Sequence, residues 1–259
     1  MSTNLASVKI AGDRVIAELG LSNGPLNLVD RTLLRSLNAA LTELEQWSEL
    51  RCVILHGGTA RAFCAGSDIK EFADLRADAS EKKILFEDMV LRRLARLPVP
   101  TIAALDAPAL GGGFELALAC DLRVARRGVR MGLTESVLGG LAGNGALRLT
   151  RLVGPARAKQ MLFTGETVAD DEARALGLIN DLAHGSALDA ARTLARSIAL
   201  RGPVSNRWAK QLVDAAQDMP LDAGLSLSTV VQQKIFDSRD LHEGVAAFLE
   251  KRSPCFAGR

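Results

Sequence analysis

Three consecutive glycines, Gly111-Gly112-Gly113, come directly before Phe114-Glu115-Leu116-Ala117-Leu118-Ala119, a run rich in helix formers. Glycine lets another group approach the backbone closely, and the first N–H groups of a helix have no internal partner. This junction therefore requires a helix start beside something a side chain would displace. What flanks it is strand-like on both sides: Thr101-Ile102-Ala103-Ala104-Leu105 follows the Pro98-Val99-Pro100 break, and Leu122-Arg123-Val124-Ala125 comes after the helix.

The same alternation runs through the first half of the chain. Val8, Ile10, Val15 and Ile16 flank a Gly12-Asp13 turn and read as a hairpin. Leu33, Leu34, Leu37, Leu41 and Leu44 recur at helical spacing behind a capping Asp30, and Cys52-Val53-Ile54-Leu55-His56 reads as a buried strand. Residues 84–97 carry a second helical stripe. These cycles predict an α/β fold of stacked β-β-α units. From about residue 145 the pattern is almost wholly helical, with long stripes over 187–250. The expected division is a core over residues 1–190, with a helical C-terminal region over 191–259 that covers the core or packs against another subunit.

With 32 basic and 30 acidic side chains in 259 residues, the formal net charge is only +2, which gives nucleic-acid binding no electrostatic support. Arg92-Arg93 and Arg126-Arg127 read as solvated faces. Cys52, Cys64, Cys120 and Cys255 show no paired spacing, so neither a disulfide framework nor a metal site is expected, and a reducing, cytoplasmic setting fits. Met1-Ser2-Thr3-Asn4-Leu5 lacks a basic region followed by an apolar core, and no apolar run reaches membrane-spanning length.

The chemistry concentrates in two stretches. At the helix start, the Gly112 N–H and the helix dipole favour an oxyanion, and Glu115, three residues on, lies on nearly the same face with its side chain leaning back toward that start. On glycine spacing alone, close helix packing explains the run equally well. A separate loop, Arg61-Ala62-Phe63-Cys64-Ala65-Gly66-Ser67-Asp68-Ile69-Lys70-Glu71, leaves the 52–56 strand through small residues and can offer a second backbone donor. Ser67 has no histidine in a recognisable triad context, which favours its N–H over its hydroxyl. Two donors converging on one oxygen suit thioester enolate or tetrahedral chemistry, each worth about 10²–10³ in rate.

Together these stretches resemble the enoyl-CoA hydratase/isomerase family, the crotonase superfamily. The resemblance covers nearly the whole chain and continues through Thr134-Glu135-Ser136-Val137-Leu138-Gly139, Leu162-Phe163-Thr164-Gly165 and Glu172-Ala173-Arg174-Ala175-Leu176-Gly177. It implies a crotonase-like spiral and an oxyanion hole made by the N–H groups of Ser67 and Gly112. Glu115 and Glu135 match the two family carboxylates. Ala65, Gly66, Asp68, Ile69, Gly111 and Gly143 would line the groove for an acyl-CoA thioester. Coenzyme A would enter as part of the substrate, with no separate cofactor and no metal, and the chain would form a homotrimer or a dimer of trimers.

Members with both glutamates are commonly hydratases: Glu115 would activate water for attack at C3, and Glu135 would deliver a proton to C2. Isomerisation using Glu135 alone, other enolate chemistry such as decarboxylation or a carnitinyl-type dehydration, and an inactive CoA-binding paralogue share the same hole. Thr134 stands where a proline is common, Ser67 where alanine is usual, and Ala142-Gly143-Asn144-Gly145-Ala146-Leu147 replaces a longer glycine-rich run, so the acyl pocket beside Glu135 departs most from the pattern.

Overall fold

A computed structural model describes residues 7–72, 75 and 77–259; the Met1–Leu5 segment lies outside them. The chain begins with β1 (Ser7–Gly12) and β2 (Ile16–Ser22), paired antiparallel around a turn in which the Asp13 carboxylate accepts from the Val15 and Ile16 amides. Then come α1 (Arg31–Leu44) and β3 (Cys52–His56). Asp30 caps α1, its Oδ1 accepting from the Leu33 amide at 2.7 Å, as its position before the leucine stripe predicts. A 3₁₀ turn (Ile69–Phe72) and a π turn (Ser80–Ile84) precede α2 (Leu85–Ala95) and β4 (Thr101–Leu105).

The next turn of the chain contains β5 (Ala109–Leu110), α3 (Gly112–Leu118), β6 (Leu122–Arg126) and β7 (Arg130–Gly132). After a 3₁₀ turn over Glu135–Leu138, α4 (Gly143–Thr164) kinks at Gly154, where φ is 76°, before Pro155. The chain ends in β8 (Val168–Ala169), α5 (Asp170–Ala175), β9 (Asp181–Ala183), α6 (Ala187–Ala199), α7 (Pro203–Ala216), α8 (Leu221–Phe236) and α9 (Arg239–Leu249).

Six strands form the large sheet in the order β1-β2-β3-β4-β6-β9, all parallel after the opening hairpin, and β5-β7-β8 form a smaller one. β4 in the large sheet leads to β5 in the small one, and β6 leads to β7. A bridge between Cys64 and Ala109 adds the segment after β3 to the same edge. This is the repeating β-β-α spiral. Two short strands, β8 and β9, fall in the half that reads as almost wholly helical. At two and three residues they are too short to show a period of two, so only pairing with β7 and β6 makes them visible.

Alternation along each strand divides the core between the two faces of the large sheet. Val53, Leu55, Ala103, Leu105 and Ala125 join the leucines of α1 and α2 and Phe114 of α3 on one face. Cys52, Ile54, Ile102, Ala104 and Val124 face Ala187, Ala191 and Ala195 of α6 on the other. The carboxylate of Asp106, just after β4, accepts from the Ala187 amide at 2.7 Å and the Leu188 amide at 3.0 Å, fixing the start of α6 on the sheet. The division between residues 190 and 191, where the sequence suggests that the core gives way to the C-terminal region, falls inside this helix.

Ala191 is fully buried between α6 and the sheet, so no space exists for a larger side chain. Ala191→Leu is expected to lower unfolding stability by about 1–3 kcal/mol in urea titrations without changing the native fold.

Candidate active site

The loop after β3 is held by backbone bonds. Val29 donates to the Gly66 carbonyl at 2.8 Å and accepts from the Asp68 amide at 2.9 Å. Since successive amides along an extended segment point in opposite directions, this clasp turns the Ser67 N–H away from Val29. One step back, the Cys64 carbonyl accepts from the Leu110 amide at 3.0 Å, bringing the loop beside the start of α3. Gly113 makes that approach possible: a Cβ there would lie 2.1 Å from the Cys64 carbonyl oxygen. Gly111 turns the chain into the helix with φ of 52°.

As a result the amides of Ser67 and Gly112 are neighbours. A Cβ on Gly112 would stand 3.5 Å from the Ser67 nitrogen, and neither amide donates a hydrogen bond among the described residues. Two free N–H groups on one small space form a site for a carbonyl oxygen that gains negative charge.

Glu115 is 7% exposed, and its Oε1 accepts from the Gly145 amide at 2.6 Å. Burial pushes its carboxyl up to about 7, against the Gly145 hydrogen bond, and the charges of Glu87 and Glu135 push the same way. Glu135 opens the 3₁₀ turn on the other side of the site. Its Oε1 lies 3.0 Å from where a Gly111 Cβ would be, and its Oε2 is buried without a hydrogen-bond partner among the described residues. Burial raises its carboxyl too, with a further push from Glu87. One buried carboxyl held by an amide and another left free make a pair that can divide acid and base duties.

The structure thus brings Ser67, Gly111, Gly112, Glu115 and Glu135 together. Gly66 packs within 3.9 Å of the Gly112 nitrogen, measured from the place of a Cβ, and Ala65 is half-buried with its amide on the Leu26 carbonyl. Asp68 turns its carboxylate to the Lys70 amide, and Ile69 is exposed on the outer side of the loop. Gly143 is exposed at the start of α4 and has open space around it; the glycine that meets Glu115 is Gly145, where a Cβ would lie 2.8 Å from the glutamate Cγ.

Sequence reasoning missed Gly145, Asn144 and Glu87. Asn144 donates to Asp88 at 2.8 Å and accepts from Arg148 at 2.6 Å, tying the loop to α2. Glu87 has one oxygen 3.7 Å from the place of a Gly112 Cβ. Only its i,i+4 spacing from Lys83 was available in the sequence as a signal, and that spacing is ordinary on helix surfaces.

The model for enoyl-CoA hydratase/isomerase matches residues 12–259. The chain belongs to the enoyl-CoA hydratase/isomerase family. It is 37% identical over 257 residues to the mitochondrial methylglutaconyl-CoA hydratase of Rattus norvegicus, covering 95% of this chain and 80% of that protein. It is 35% identical over 229 residues to the short-chain-enoyl-CoA hydratase of Clostridium acetobutylicum, covering 88% of each. The crystal structure of an enoyl-CoA hydratase from Bacillus anthracis superposes with a TM-score of 0.91 at 33% identity, over 99% of this chain and all of that one. The crotonase-like spiral expected from the resemblance is therefore this family member's fold.

The raised carboxyl of Glu115 links stability to pH. Folded, it holds its proton up to about pH 7, whereas the unfolded chain releases it near 4.5. Its contribution is therefore fully present below about 4.5 and is lost as pH rises through 7. Glu115→Gln should gain stability relative to the wild type between pH 5 and pH 8, as read from urea midpoints at the two pH values.

Proposed function

We propose that this family member hydrates 2-trans-enoyl-CoA thioesters, with Ser67 and Gly112 holding the thioester oxygen and Glu115 and Glu135 moving the protons. The observation that supports this most is the meeting of two unpaired amides with two buried carboxylates. The thioester carbonyl accepts from both amides. Glu115, ionised and aligned by Gly145, takes a proton from water as its oxygen bonds to C3. The electron pair of the double bond moves onto the thioester, giving an enolate whose negative oxygen the two amides stabilise. Glu135 gives a proton to C2 as the enolate collapses, and transfer of the proton from Glu115 to Glu135 through solvent restores the starting state. The sum is one water added across the bond.

In this reading coenzyme A is part of the substrate and no further cofactor takes part. Ala65, Gly66, Asp68, Ile69 and Gly111 would border the thioester groove, with Gly143 at its α4 side. No described helix is long and apolar enough to cross a membrane. The reading also includes assembly as a homotrimer or dimer of trimers, supported by exposed apolar side chains on α4 and α9, among them Leu147, Phe163, Phe248 and Leu249.

Glu115→Gln and Glu135→Gln should each lower kcat for hydration of 2-butenoyl-CoA by at least about 10²-fold while KM stays within a few-fold. Retention of near wild-type kcat in either variant would remove that residue from the mechanism. For the wild type, kcat/KM should rise as pH increases through about 7, where Glu115 loses its proton, and the apparent pKa values belong to the pair.

A further inference from the structure

Arg123 is a buried cation that the proposed reaction leaves unused. It lies near the start of β6, just after α3, and is 4% exposed. Its Nε donates to the Leu178 carbonyl at 2.7 Å. Its Nη1 donates to the Cys120 carbonyl at 2.9 Å and, more loosely, to the Ala117 carbonyl at 3.4 Å. Asn180 fixes its backbone: the side-chain oxygen accepts from the Arg123 amide at 2.9 Å, and the Asn180 amide donates to the Arg123 carbonyl at 2.8 Å.

No carboxylate stands within ion-pair distance of this guanidinium among the described residues. Asp121, two residues earlier, gives its Oδ2 to Lys210 at 2.7 Å and to the Thr101 amide at 2.8 Å instead. An arginine keeps its proton even when buried, so a positive charge without a counter-ion sits in the core, which is costly. Two of the carbonyls that hold it share a location. Ala117 lies in the last turn of α3 and Cys120 just beyond its end, and the other end of that helix presents the Gly112 amide. With seven residues, α3 has its two ends only about 10 Å apart. In so short a helix, the partial negative charge of the last carbonyls opposes at close range what the first amides offer an anion. A guanidinium bonded to those carbonyls cancels the opposing charge.

We propose that Arg123 is a positioning residue for the reaction: bound to the C-terminal carbonyls of α3, it neutralises the negative end of the helix, so that the positive end and the Gly112 amide act on the thioester oxygen unopposed. The inference rests on the oxyanion-hole reading of the site and adds to it a residue that touches no substrate. Its influence passes through backbone dipoles and a dry interior, where a charge is screened far less than in water. The effect grows with the charge on the oxygen, so it favours the enolate over the bound thioester.

Three variants of the full-length protein separate charge from packing. Arg123→Lys keeps the charge with poorer bonding, whereas Arg123→Gln and Arg123→Met remove it, one with a donor left and one without. Infrared spectra are taken with saturating butyryl-CoA, isotopically labelled at the thioester carbonyl, which has no double bond to hydrate and holds the folded state. In the wild type the carbonyl stretch of the bound thioester should lie below its frequency in water, the sign of donation from the two amides. In the neutral variants the band should move back toward the water frequency, and kcat for 2-butenoyl-CoA should fall at least about five-fold with KM within a few-fold. Arg123→Lys should keep the lowered band and a kcat within about two-fold of wild type. A role in folding alone would lower urea midpoints in all three variants and leave the band and kcat of the folded protein unmoved. Such a result, or loss of the lowered band in a folded Arg123→Lys variant, would overturn the proposal and leave the hydratase reading intact. A band that depends on the charge of Arg123 in a protein that does not hydrate 2-butenoyl-CoA upholds the inference and removes hydration. A wild-type band at the water frequency removes the oxyanion hole and this role with it.

Discussion

The clasp between Val29 and the 66–68 backbone is the constraint on which the site depends. It consists of two hydrogen bonds, yet it decides which way the Ser67 amide points. The Cys64–Leu110 bond then sets the distance from that amide to the Gly112 amide, and the bare backbone of Gly113 lets the segments come that close. No side chain takes part, so the geometry of the hole belongs to the sheet edges and the first turn of α3. Donors fixed in this way need no reorganisation as charge develops on the oxygen they hold.

Around that rigid centre the electrostatics are finely opposed. Burial raises the carboxyls of both Glu115 and Glu135, the charge of Glu87 pushes both the same way and that of Glu135 adds to the push on Glu115, while the Gly145 amide and Lys83 favour the charged form of Glu115. Lys83 has a second effect. Without it, the negative charge of Glu87 would stand unbalanced beside the two unpaired amides and would work against an anionic oxygen there. The pair therefore leaves little net charge beside the amides.

Much of this was legible in the sequence because it arises from local rules. The leucine stripe and Asp30 announce α1 and its cap, the β-branched runs announce the strands, and the glycine run announces a helix start that something approaches closely. Glu115 follows from its offset from Gly112. What stayed hidden depends on distant partners. β9 has three residues and exists through pairing with β6; Gly145 matters because a glutamate thirty residues earlier receives its amide. Glu87 sits in a helical stripe where a glutamate normally faces solvent, and only the folded chain brings its Oε1 to within 3.7 Å of the place of a Gly112 Cβ. The short loop after Glu135 was visible as a departure, but its hydrogen bonds to Glu115 and Asp88 were not.

The placement of α6 bears on how the chain comes off the ribosome. One whole face of the large sheet, with Cys52, Ile54, Ile102, Ala104 and Val124, is covered by a helix that begins only at Ala187. During synthesis, every strand that carries this face is made before the alanines that cover it, and Asp106 waits some eighty residues for the amides it accepts. Nascent chains halted before that point present a bare apolar sheet, the kind of surface that chaperones bind and that seeds aggregation. The interval ends when Ala187, Ala191 and Ala195 leave the exit tunnel.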